Sequence, residues 1–499
     1  MTFEHLLDGA EVLAHSGNAS VSGVEYDSRR VKPGCVFVAM RGETSDGNRY
    51  IDQAIQAGAV AVITDSSAEK PREGVAWAVV PHGRRALARV SANFYKRPAE
   101  RIAIAGITGT NGKSTTAFLI EAILAAAGRT SALIGTIEYH VAGKVYPAPH
   151  TTPEALDLAR LFNEALGLGA TDAVMEVSSH ALAQQRVFGI PFDVAVFTNL
   201  TRDHLDYHKT MDEYFAAKRV LIEGCGTDAP RVAITNLDDQ YGAKLAELSG
   251  KRGSTVLTYG WDRGDFYAEN VEINPRGTRF DVATPREKIA VFSPLIGRVN
   301  VYNILAAAAA GYARGCDAQA IARGVESLTH VPGRFERVDC GQPFTVVVDY
   351  AHTDDALRNL TALAREFVSR GGAKSRVVTV FGCGGDRDRA KRPLMGEAAG
   401  RGSDFVVLTS DNPRGEDPLA IINDALVGLQ KAGVKYIVEP DRRAAIALAI
   451  GQARPGDIVL LAGKGHEKVQ VTREGSRPFD DVEVAREALR AAGFAQGCN

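Results

Sequence analysis

The 499-residue sequence lacks several features that would place it in other classes of protein. No uninterrupted apolar stretch reaches the roughly 18 residues that a membrane-spanning helix needs. The first residues, MTFEHLLDGAEV, have no basic region ahead of an apolar core, so we expect no secretory signal. The formal net charge of −2 argues against a broad nucleic-acid-binding surface. These absences predict a cytoplasmic protein with no membrane insertion and no nucleic-acid partner.

Cysteine is also scarce. The six cysteines lie far apart, at positions 35, 225, 316, 340, 383 and 498, and none forms a CxxC pair. This spacing is typical of reduced thiols, and not of a disulfide framework or a zinc site.

What the chain does have is a hydrophobic fraction of 45%, ordinary for a globular protein, and a length sufficient for about three domains.

The most informative segment is Gly106–Ser114, with the sequence GITGTNGKS, between an apolar run and a helix-like stretch at 115–127. A strand, a glycine-rich turn and Lys-Ser at a helix start form the arrangement that holds nucleotide phosphates. Glycines let backbone N–H groups approach the phosphate oxygens, Lys113 adds a positive charge, and the hydroxyl of Ser114 can reach a magnesium ion. Ile107 stands where the usual pattern has glycine, so we predict a variant phosphate loop.

Predicted strands alternate with predicted helices from residue 101 onward, which favours parallel sheets in an α/β fold. The strands are predicted at 102–107, 131–134, 172–177, 193–198, 231–235, 344–349, 376–381, 404–409 and 457–462. The helices are predicted at 115–127, 154–166, 212–222, 355–367 and 418–431, with a further core helix around Ala306–Ala310. Residues before the linker at 95–98 have shorter strands, at 36–40 and 60–64, and a helix at 50–57. With a second break at 330–334, the predicted domains are 1–97, 98–331 and 332–499.

Polar residues follow many of these strands, and open α/β sheets bind ligands at the carboxyl ends of their strands. The residues at these ends are Glu176, Asn199, Asp349, Asp411 and Gly463. We therefore expect a ligand-binding cleft that closes between domains.

Eight motifs, in order along almost the whole chain, resemble those of the Mur ligase family. Besides TGTNGKS they are DSR at 27–29, HTTP at 150–153, EVSSH at 176–180, NLTRDH at 199–204, DYAH at 349–352, DNPR at 411–414 and GKGHE at 463–467. The resemblance implies three domains: an N-terminal domain for a UDP-linked substrate, a central P-loop-type ATP-binding domain and a C-terminal Rossmann-like domain for the amino acid.

The resemblance also implies an activity, that of an ATP-dependent amide ligase in peptidoglycan precursor synthesis, and so a role in cell wall biogenesis, cell shape and cell division. It implies a monomer with Mg²⁺ as cofactor. The implied substrates are ATP, UDP-N-acetylmuramoyl-L-alanyl-D-glutamate and meso-2,6-diaminopimelate.

Amide synthesis from a carboxylate needs activation, and ATP supplies it by forming an acyl phosphate that an amine then attacks. The resemblance implies that the nucleotide is contacted by Gly109, Thr110, Asn111, Gly112, Lys113, Ser114, Thr115, Asn303, Arg334 and Asp349. The implied catalytic residues are Lys113, Glu176, His204 and Lys218, and the implied magnesium ligands are Ser114, Glu176, His204 and Lys218.

Lys218 would act as a carbamylated side chain, N6-carboxylysine, because carbamylation turns a cation into an anionic oxygen ligand. That reaction needs a deprotonated amine, which a desolvated lysine favours. Taken without the resemblance, Glu176 is equally well a salt-bridge partner, His204 a hydrogen-bonded loop histidine and Lys218 a solvated helix lysine.

The UDP-linked substrate is expected across the first two domains. The resemblance implies contacts from Ser28, Glu43, Thr44, Ser45, Thr151, Thr152, Ser178, Gln184 and Arg186. Hydroxyl and amide groups suit neutral sugars, and Arg186 suits a diphosphate or carboxylate. The alternative for each Ser or Thr is a turn or cap, and Thr152 is a candidate cap for the helix after Pro153.

The amino acid is expected in the third domain. The residues implied to bind it are Arg387, Asp411, Asn412, Pro413, Arg414, Gly463 and Glu467. Relatives that add diaminopimelate carry DNPR, whereas relatives that add L-lysine commonly lack this arginine. A guanidinium binds the extra carboxylate of diaminopimelate bidentately. The alternative for Arg414 is a surface salt bridge, and the same reaction with L-lysine is the alternative function. A folylpolyglutamate synthetase and a nucleotide-binding regulator without catalysis are the other candidates.

Overall fold

The computed structural model describes residues 1–43, 45–274, 276–371 and 375–494. Thr44 and Cys498 therefore lie outside the described residues. Three large sheets follow one another along the chain, and each is covered by helices on its faces. None of the helices within these ranges has the length and apolarity needed to cross a bilayer.

The N-terminal sheet has the strand order β1-β5-β4-β3-β2, in which β1 is antiparallel and the others are parallel. Its strands are β1 (Ala14–Ser16), β2 (Gly23–Glu25), β3 (Cys35–Ala39), β4 (Ala61–Thr64) and β5 (Ala76–Val79), and its helices are α1 (Phe3–Leu6), α2 (Ile51–Gln56) and α3 (Gly83–Phe94). Every residue of β3 and β4 is buried, as expected for strands covered on both faces. Trp77 in β5 is 1% exposed.

The central sheet has eleven strands among the described residues, in the order β16-β15-β14-β13-β12-β11-β6-β10-β7-β8-β9. They are β6 (Ala103–Thr108), β7 (Ser131–Ile134), β8 (Glu138–Val141), β9 (Lys144–Pro147), β10 (Asp172–Glu176), β11 (Val194–Phe197), β12 (Val232–Asn236), β13 (Thr255–Gly260), β14 (Phe266–Asn274), β15 (Gly277–Ala283) and β16 (Lys288–Ser293). The helices are α4 (Lys113–Ala126), α5 (Ala155–Gly167), α6 (Ser179–Ala183), α7 (Leu205–His208), α8 (Met211–Glu223), α9 (Gln240–Lys251), α10 (Arg298–Ala313) and α11 (Ala318–Ser327).

The middle of this sheet is parallel, and β6 lies between β10 and β11. After β6 the chain forms β7 and β10 on one side of that strand, and later β11 on its other side. The loop that follows β6 therefore lies at a switch point of the sheet, where α/β folds bind ligands. The five residues Ala306–Ala310 of α10 are fully buried against the sheet, which confirms the predicted core helix. Trp261, just after β13, lies under the guanidinium of Arg298 at 4.0 Å from the ring centroid.

The C-terminal sheet has the order β17-β18-β22-β19-β20-β21, with only β17 antiparallel to its neighbour. Its strands are β17 (Glu336–Val338), β18 (Thr345–Asp349), β19 (Val377–Phe381), β20 (Phe405–Leu408), β21 (Lys435–Val438) and β22 (Ile458–Ala462). A hairpin of β23 (Val469–Thr472) and β24 (Gly475–Pro478) follows. The helices are α12 (Asp354–Gly371), α13 (Lys391–Gly402), α14 (Pro418–Ala432), α15 (Arg442–Gln452) and α16 (Asp481–Ala491).

The predicted parallel α/β elements are confirmed to within a few residues, but two antiparallel extensions of the central sheet were not predicted. These are the β8–β9 hairpin at one edge and β14–β16 at the other. The division of the chain after residues 97 and 331 stays a prediction.

The cysteines differ in part from the expectation of reduced thiols. Cys35, Cys225, Cys316 and Cys383 are free and buried, whereas Cys340 is disulfide-bonded. The prediction of a reduced thiol is therefore wrong at Cys340, because wide spacing in the sequence does not prevent pairing in the fold.

Candidate active site

The loop between β6 and α4 is shaped by two glycines whose replacement would strain the backbone. Gly109 has φ +146° and Gly112 has φ +87°, values that side chains with a Cβ rarely adopt. A Cβ at Gly109 would lie 1.8 Å from Oγ1 of Thr198, and one at Gly112 would lie 2.4 Å from Oδ1 of Asn303. The loop therefore packs directly on the end of β11 and on α10.

Asn199, two residues after β11, holds the loop in place. Its Oδ1 accepts a hydrogen bond from the backbone N–H of Asn111 at 2.9 Å, and its backbone carbonyl accepts from the N–H of Thr110 at 2.8 Å. The hydroxyl of Thr198 donates to the carbonyl of Asn111 at 2.7 Å. The carboxyl ends of two neighbouring strands thus fix the backbone that would receive phosphate.

Two lysines, the partly buried Lys113 and the fully buried Lys218, converge on one backbone oxygen of this loop. Nζ of Lys113 donates to the carbonyl of Gly109 at 3.0 Å, and Nζ of Lys218 donates to the same oxygen at 2.7 Å. Burial lowers the pKa of both ammonium groups, and the charge of Lys113 further lowers the pKa of Lys218. Lys218 is 1% exposed and forms no ion pair within the described ranges. Its description as a solvated helix lysine is therefore wrong, and its desolvation is the condition that carbamylation requires.

Glu176 ends β10 and is 1% exposed. Its Oε1 accepts from the backbone N–H of Thr136 at 2.8 Å, and its Oε2 accepts from the hydroxyl of Thr136 at 3.0 Å. No Lys or Arg in the described part of the chain forms an ion pair with it, so the salt-bridge interpretation does not hold. The carboxylate keeps lone pairs for another ligand.

His204 adopts φ +54° at the start of α7, and its ring lies 4.8 Å from that of His180. Burial lowers the pKa of His204 to about 3, although the neighbouring Asp203 carboxylate opposes this shift. The imidazole is therefore neutral near pH 7 and has a lone pair that can bind a metal ion.

Residues from the C-terminal sheet complete the surroundings of the loop. Nη2 of Arg334 donates to the hydroxyl of Ser114 at 3.3 Å, and Nδ2 of Asn111 donates to Asp355 of α12 at 3.0 Å. Asp349 accepts from the N–H groups of Phe335 and Ala351 at 2.7 and 2.8 Å. The nucleotide-loop residues, Asn303 and Arg334 are thus brought together, and Asp349 lies beside Arg334 through its hydrogen bond from the neighbouring Phe335.

Asp203 joins the two sheets and was not identified as a site residue from the sequence. The side chain lies 3.3 Å from Nζ of Lys391 and 3.5 Å from Nε2 of His352, both on the C-terminal sheet's side of the cleft. Burial alone would raise the pKa of Asp203, but the hydrogen bond from His352 and the charge of Lys391 lower it well below its usual range. Asp203 and Lys391 lie 188 positions apart in the sequence, so no local pattern reveals the contact.

The predicted contacts of the UDP-linked substrate are divided between two places. The hydroxyl of Ser28 donates to Gln53 inside the N-terminal domain at 3.2 Å. Glu43 instead reaches the central domain, where the neighbouring Tyr207 and Gln184 lower the pKa of its carboxyl group against the opposing effect of burial. Ser45 accepts a backbone hydrogen bond from Gly42 at 2.8 Å.

Thr152 and Arg186 form one hydrogen-bonded group beside Glu176. The hydroxyl of Thr152 donates to the carbonyl of Glu176 at 2.8 Å and accepts from the N–H of Ser178 at 3.1 Å. The interpretation of Thr152 as a helix cap is wrong, because Glu154 occupies the cap position of α5. Arg186 donates to the carbonyl of Thr152 at 3.0 Å.

Other members of this group also have protein partners. The guanidinium of Arg186 donates to Gln184 at 2.6 Å and lies 3.2 Å from Glu154, and the hydroxyl of Thr151 lies 3.1 Å from that of Thr136.

The predicted amino-acid site lies at the carboxyl ends of β19, β20 and β22. Nη1 of Arg414 donates to the carbonyl of Gly385 at 2.8 Å, and burial together with the charge of Arg387 lowers the pKa of Arg414. Neither guanidinium has a carboxylate within ion-pair distance among the described residues. The surface-salt-bridge interpretation of Arg414 is therefore wrong, and two adjacent cations without a counter-ion are suited to bind an anion.

The five other residues predicted to bind the amino acid line the same place. Nδ2 of Asn412 donates to Oε2 of Glu467 at 2.7 Å. Gly463 has φ +116°, and a Cβ there would lie 3.3 Å from Oδ2 of Asp411. The carbonyl of Pro413 packs so closely on Gly385 that a Cβ at that glycine would lie 1.9 Å away. The site thus combines cationic and anionic groups.

Comparison with protein-family models gives three matches. The Mur ligase family catalytic domain matches residues 20–95, the Mur ligase middle domain matches 107–311, and the Mur ligase glutamate ligase domain matches 333–465. Two curated relatives are named UDP-N-acetylmuramoyl-L-alanyl-D-glutamate–2,6-diaminopimelate ligase. The one from Solibacter usitatus is 55% identical, with 95% of each chain covered, and the one from Geobacter metallireducens is 46% identical, with 94% of each covered.

Solved structures are similar over nearly the full length. One, a UDP-N-acetylmuramoyl-L-alanyl-D-glutamate–2,6-diaminopimelate ligase, superposes with a TM-score of 0.66 at 35% identity and covers 95% of both chains. MurF ligase from Thermotoga maritima in complex with ADP superposes with a TM-score of 0.63 at 19% identity, over 94% of this chain and 97% of that one. These likenesses confirm the predicted three-domain α/β architecture.

Proposed function

This chain belongs to the Mur ligase family, and we propose that it joins meso-2,6-diaminopimelate to UDP-N-acetylmuramoyl-L-alanyl-D-glutamate at the expense of ATP, in peptidoglycan precursor synthesis. The names and full-length similarity of the relatives support this activity. The observation that carries the choice of amino acid is the pair of guanidiniums, Arg387 and Arg414, that have no carboxylate partner in the described residues.

The first chemical step forms an acyl phosphate. A glutamate carboxylate oxygen attacks the γ-phosphorus of ATP, and ADP leaves with the electrons of the broken P–O bond. The loop N–H groups held by Asn199 would bind phosphate oxygens, and Lys113 would turn from the Gly109 carbonyl to the transferring phosphoryl group. A cation in this buried place stabilises the charge that builds up in the transition state.

The second step forms the amide. The amine of the amino acid attacks the acyl carbon, phosphate leaves, and the ammonium proton passes to solvent or a nearby base. Arg414 and Arg387 would bind the carboxylate at the far end of diaminopimelate, and so place the reacting amine at the acyl phosphate.

The donor set partly fits the predicted Mg²⁺. Ser114 and Glu176 offer oxygens and His204 a neutral nitrogen, but no group of three or more His, Cys, Asp or Glu side chains in the described ranges has the spacing of a metal site. An unmodified Lys218 ammonium would repel the ion, whereas a carbamylated Lys218 would complete the set. When bound, Mg²⁺ would neutralise phosphate charge. We therefore propose Lys218 as N6-carboxylysine.

The substrate contacts proposed for Ser28, Glu43 and the group around Thr152 rest on the family resemblance. The contacts of Glu43 with Gln184 and Tyr207 support a substrate path between the first two domains, because they place the loop after β3 beside the central domain. A monomeric state and a cytoplasmic location stay predictions from the sequence.

The test is phosphate release with each substrate omitted in turn, followed by mass measurement of the product with diaminopimelate and L-lysine in competition. We expect release only when the UDP-linked dipeptide, ATP and diaminopimelate are all present. Release with L-lysine alone would favour the lysine-adding alternative. A folylpolyglutamate synthetase would need a folate, and a nucleotide-binding regulator would show no substrate-dependent release.

A further inference from the structure

Lys464, in the loop after β22, carries an ammonium group that is completely buried. Its side chain is 0% exposed. Nζ donates to Oδ1 of Asn412 at 3.1 Å, to Oε2 of Glu467 at 3.2 Å and to the carbonyl of Val469 at 2.7 Å. One cation thus contacts two of the side chains proposed to bind the amino acid, and the hairpin that covers them.

Lys464 lies between two carboxylates of the proposed amino-acid site. Oδ1 of Asp411 lies 3.6 Å from Nζ, too far for a hydrogen bond, and it is buried with no hydrogen-bond partner in the described residues. Lys464 is thus an ion-pair partner of both Asp411 and Glu467, and Asp411 Oδ1 keeps unused hydrogen-bonding capacity beside it.

Lys464 and the backbone of Val471 together fix which end of the Asn412 amide faces the cleft. Oδ1 of Asn412 accepts from Nζ of Lys464 and from the N–H of Val471 at 2.9 Å. With two donors at the oxygen, the amide cannot turn over, and Nδ2 must donate. One of its hydrogens goes to Glu467 and the other remains for a ligand oxygen.

The same contact orients Glu467. Its Oε2 accepts from both Lys464 and Asn412, at 3.2 and 2.7 Å. No hydrogen bond reaches Oε1 from the described part of the chain. This oxygen is therefore the acceptor left for an ammonium group, while Arg414 and the free hydrogen of Asn412 face a carboxylate.

We propose that Lys464 is a positioning residue that determines specificity, since it holds Asn412 and Glu467 in the geometry that receives an ammonium and a carboxylate on the same carbon. This inference rests on the proposed function, because diaminopimelate has such a carbon at its far end and lysine has only the ammonium. Without Lys464, Asn412 keeps only the N–H of Val471 at its Oδ1, Glu467 loses its only ammonium donor among the described residues and can rotate, and the preference for diaminopimelate weakens.

The experiment compares Lys464→Met with the wild type in the complete enzyme. We expect KM for diaminopimelate to rise by about 10-fold or more, with kcat and the KM values for ATP and the UDP-linked dipeptide changed less than about threefold. The ratio of kcat/KM for diaminopimelate over lysine should fall by about 10-fold. Lys464→Gln, which can still donate to Asn412, should give an intermediate ratio.

A double-variant comparison separates positioning from general loss of stability. If Lys464 acts through Glu467, Lys464→Met combined with Glu467→Gln should raise KM no more than the worse single variant. Arg376→Met is the matched control, because Arg376 pairs with the buried Asp457 at the opposite end of the same sheet at 2.7 Å. It should lower thermal stability without changing the preference between amino acids.

The outcomes are distinct. A wild type that does not use diaminopimelate overturns the proposed function, and this inference with it. A wild type that prefers diaminopimelate, with Lys464 variants that keep the preference or lose turnover equally with both amino acids, overturns the positioning role alone. Failure of both Lys464 variants to fold also overturns it, because the lysine would then be a structural residue.

Discussion

At the scale of single residues, the nucleotide loop depends on Lys113, whose ammonium is held by the carbonyls of Gly109 and Thr110 at 3.0 and 2.8 Å. If the Lys113 side chain is removed, water can donate hydrogen bonds to these two carbonyls in its place. We expect Lys113→Ala to stay folded and to lose ligation by about 10³-fold or more, since the lost cation acts on the transferring phosphoryl group. The measurement is kcat with thermal unfolding, with the exposed Lys144 changed to Ala as control. Near-normal turnover would exclude the phosphate-loop assignment.

A second prediction tests whether Lys218 acts as a carbamylated side chain. We expect Lys218→Ala and Lys218→Arg both to be inactive, because the required group is an anion and arginine stays a cation. Native mass spectrometry of the wild type should show a labile adduct of CO₂, absent in both variants. Lys218→Glu should regain a little activity at most, because glutamate is shorter than a carbamylated lysine. Full activity of Lys218→Arg would rule out the carbamate.

Arg414 tests how the amino acid is chosen. Removing it leaves the far carboxylate of diaminopimelate without a charge-assisted hydrogen bond, each of which is worth roughly 1.5–3 kcal/mol. We expect kcat/KM for diaminopimelate to fall by about 100-fold or more in Arg414→Ala, with little gain for lysine while Arg387 and Glu467 remain. An unchanged ratio between the two amino acids would show that Arg414 does not contact that carboxylate.

At the scale of elements, His140 of β8 ties the edge hairpin to α4. Its Nδ1 lies 2.8 Å from Glu121 on α4, and its Nε2 lies 2.9 Å from Glu138. The hydrogen bond to Glu121 raises the pKa of His140 to about 9 against the opposing effect of burial. The ring is therefore charged near pH 7, and its ion pair with Glu121 connects strand β8 to helix α4.

The raised pKa predicts how stability depends on pH. A group whose pKa is higher in the folded state stabilises the fold fully below its unfolded value near 6.5 and loses that effect as pH rises through about 9. The contribution of His140 to the free energy of unfolding is at most about 3.4 kcal/mol, because each tenfold change in proton affinity corresponds to about 1.36 kcal/mol. We expect the unfolding temperature of the wild type to exceed that of His140→Gln at pH 6, and the two to converge by about pH 10. A gap that widens with pH would contradict this sign.

The elements that the sequence predicts correctly are those with continuous apolar runs. The strands β10 and β11 are buried along their whole length, and β6 is buried at every residue after Ala103, so these segments stand out in the sequence as apolar runs. Edge strands are different: β9 is almost entirely exposed, and β16 alternates between buried and exposed residues. The period-two alternation of β16 was a usable signal, whereas β9 is a strand only because β8 pairs with it.

The residues of the candidate site also fall into those that the sequence predicted and those that it did not. Lys113, Glu176 and Arg414 belong to short motifs at predicted strand ends and were found. Asp203 and Lys464 lie in two other motifs of the same set, NLTRDH and GKGHE. Their importance comes from their contacts with Lys391 and Asn412, which are 188 and 52 positions away in the sequence. Which residue of a motif contacts a ligand and which one supports its neighbours depends on contacts that form only in the folded chain.

At the scale of the whole molecule, the buried pair of Asp203 and Lys391 connects the central and C-terminal sheets across the cleft. Breaking such a pair by removing one partner leaves a buried charge, at a cost of about 3 kcal/mol, unless the domains separate and water reaches it. We expect Lys391→Met to favour an open arrangement, with a larger radius of gyration by X-ray scattering at saturating ATP analogue and higher KM values for ATP and amino acid.

The matched control for this change is Lys431→Met, because Lys431 pairs with Glu397 on the surface of the C-terminal domain at 2.9 Å. It should leave the radius of gyration and the KM values unchanged. A Lys391→Met enzyme as compact as the wild type would show that other contacts, such as that of Asn111 with Asp355, are sufficient to hold the domains together.

The positions of the two tryptophans determine which domains can be monitored by intrinsic fluorescence during unfolding. Trp77 is in the N-terminal sheet and Trp261 directly follows strand β13 of the central one, and the sequence has no other tryptophan. Intrinsic tryptophan emission therefore reports the unfolding of two domains and gives no direct signal from the third. Tyr436 on the edge strand β21 is 36% exposed, so Tyr436→Trp would supply the missing emitter. In a background without Trp77 and Trp261, it would allow melting of the C-terminal domain to be observed separately.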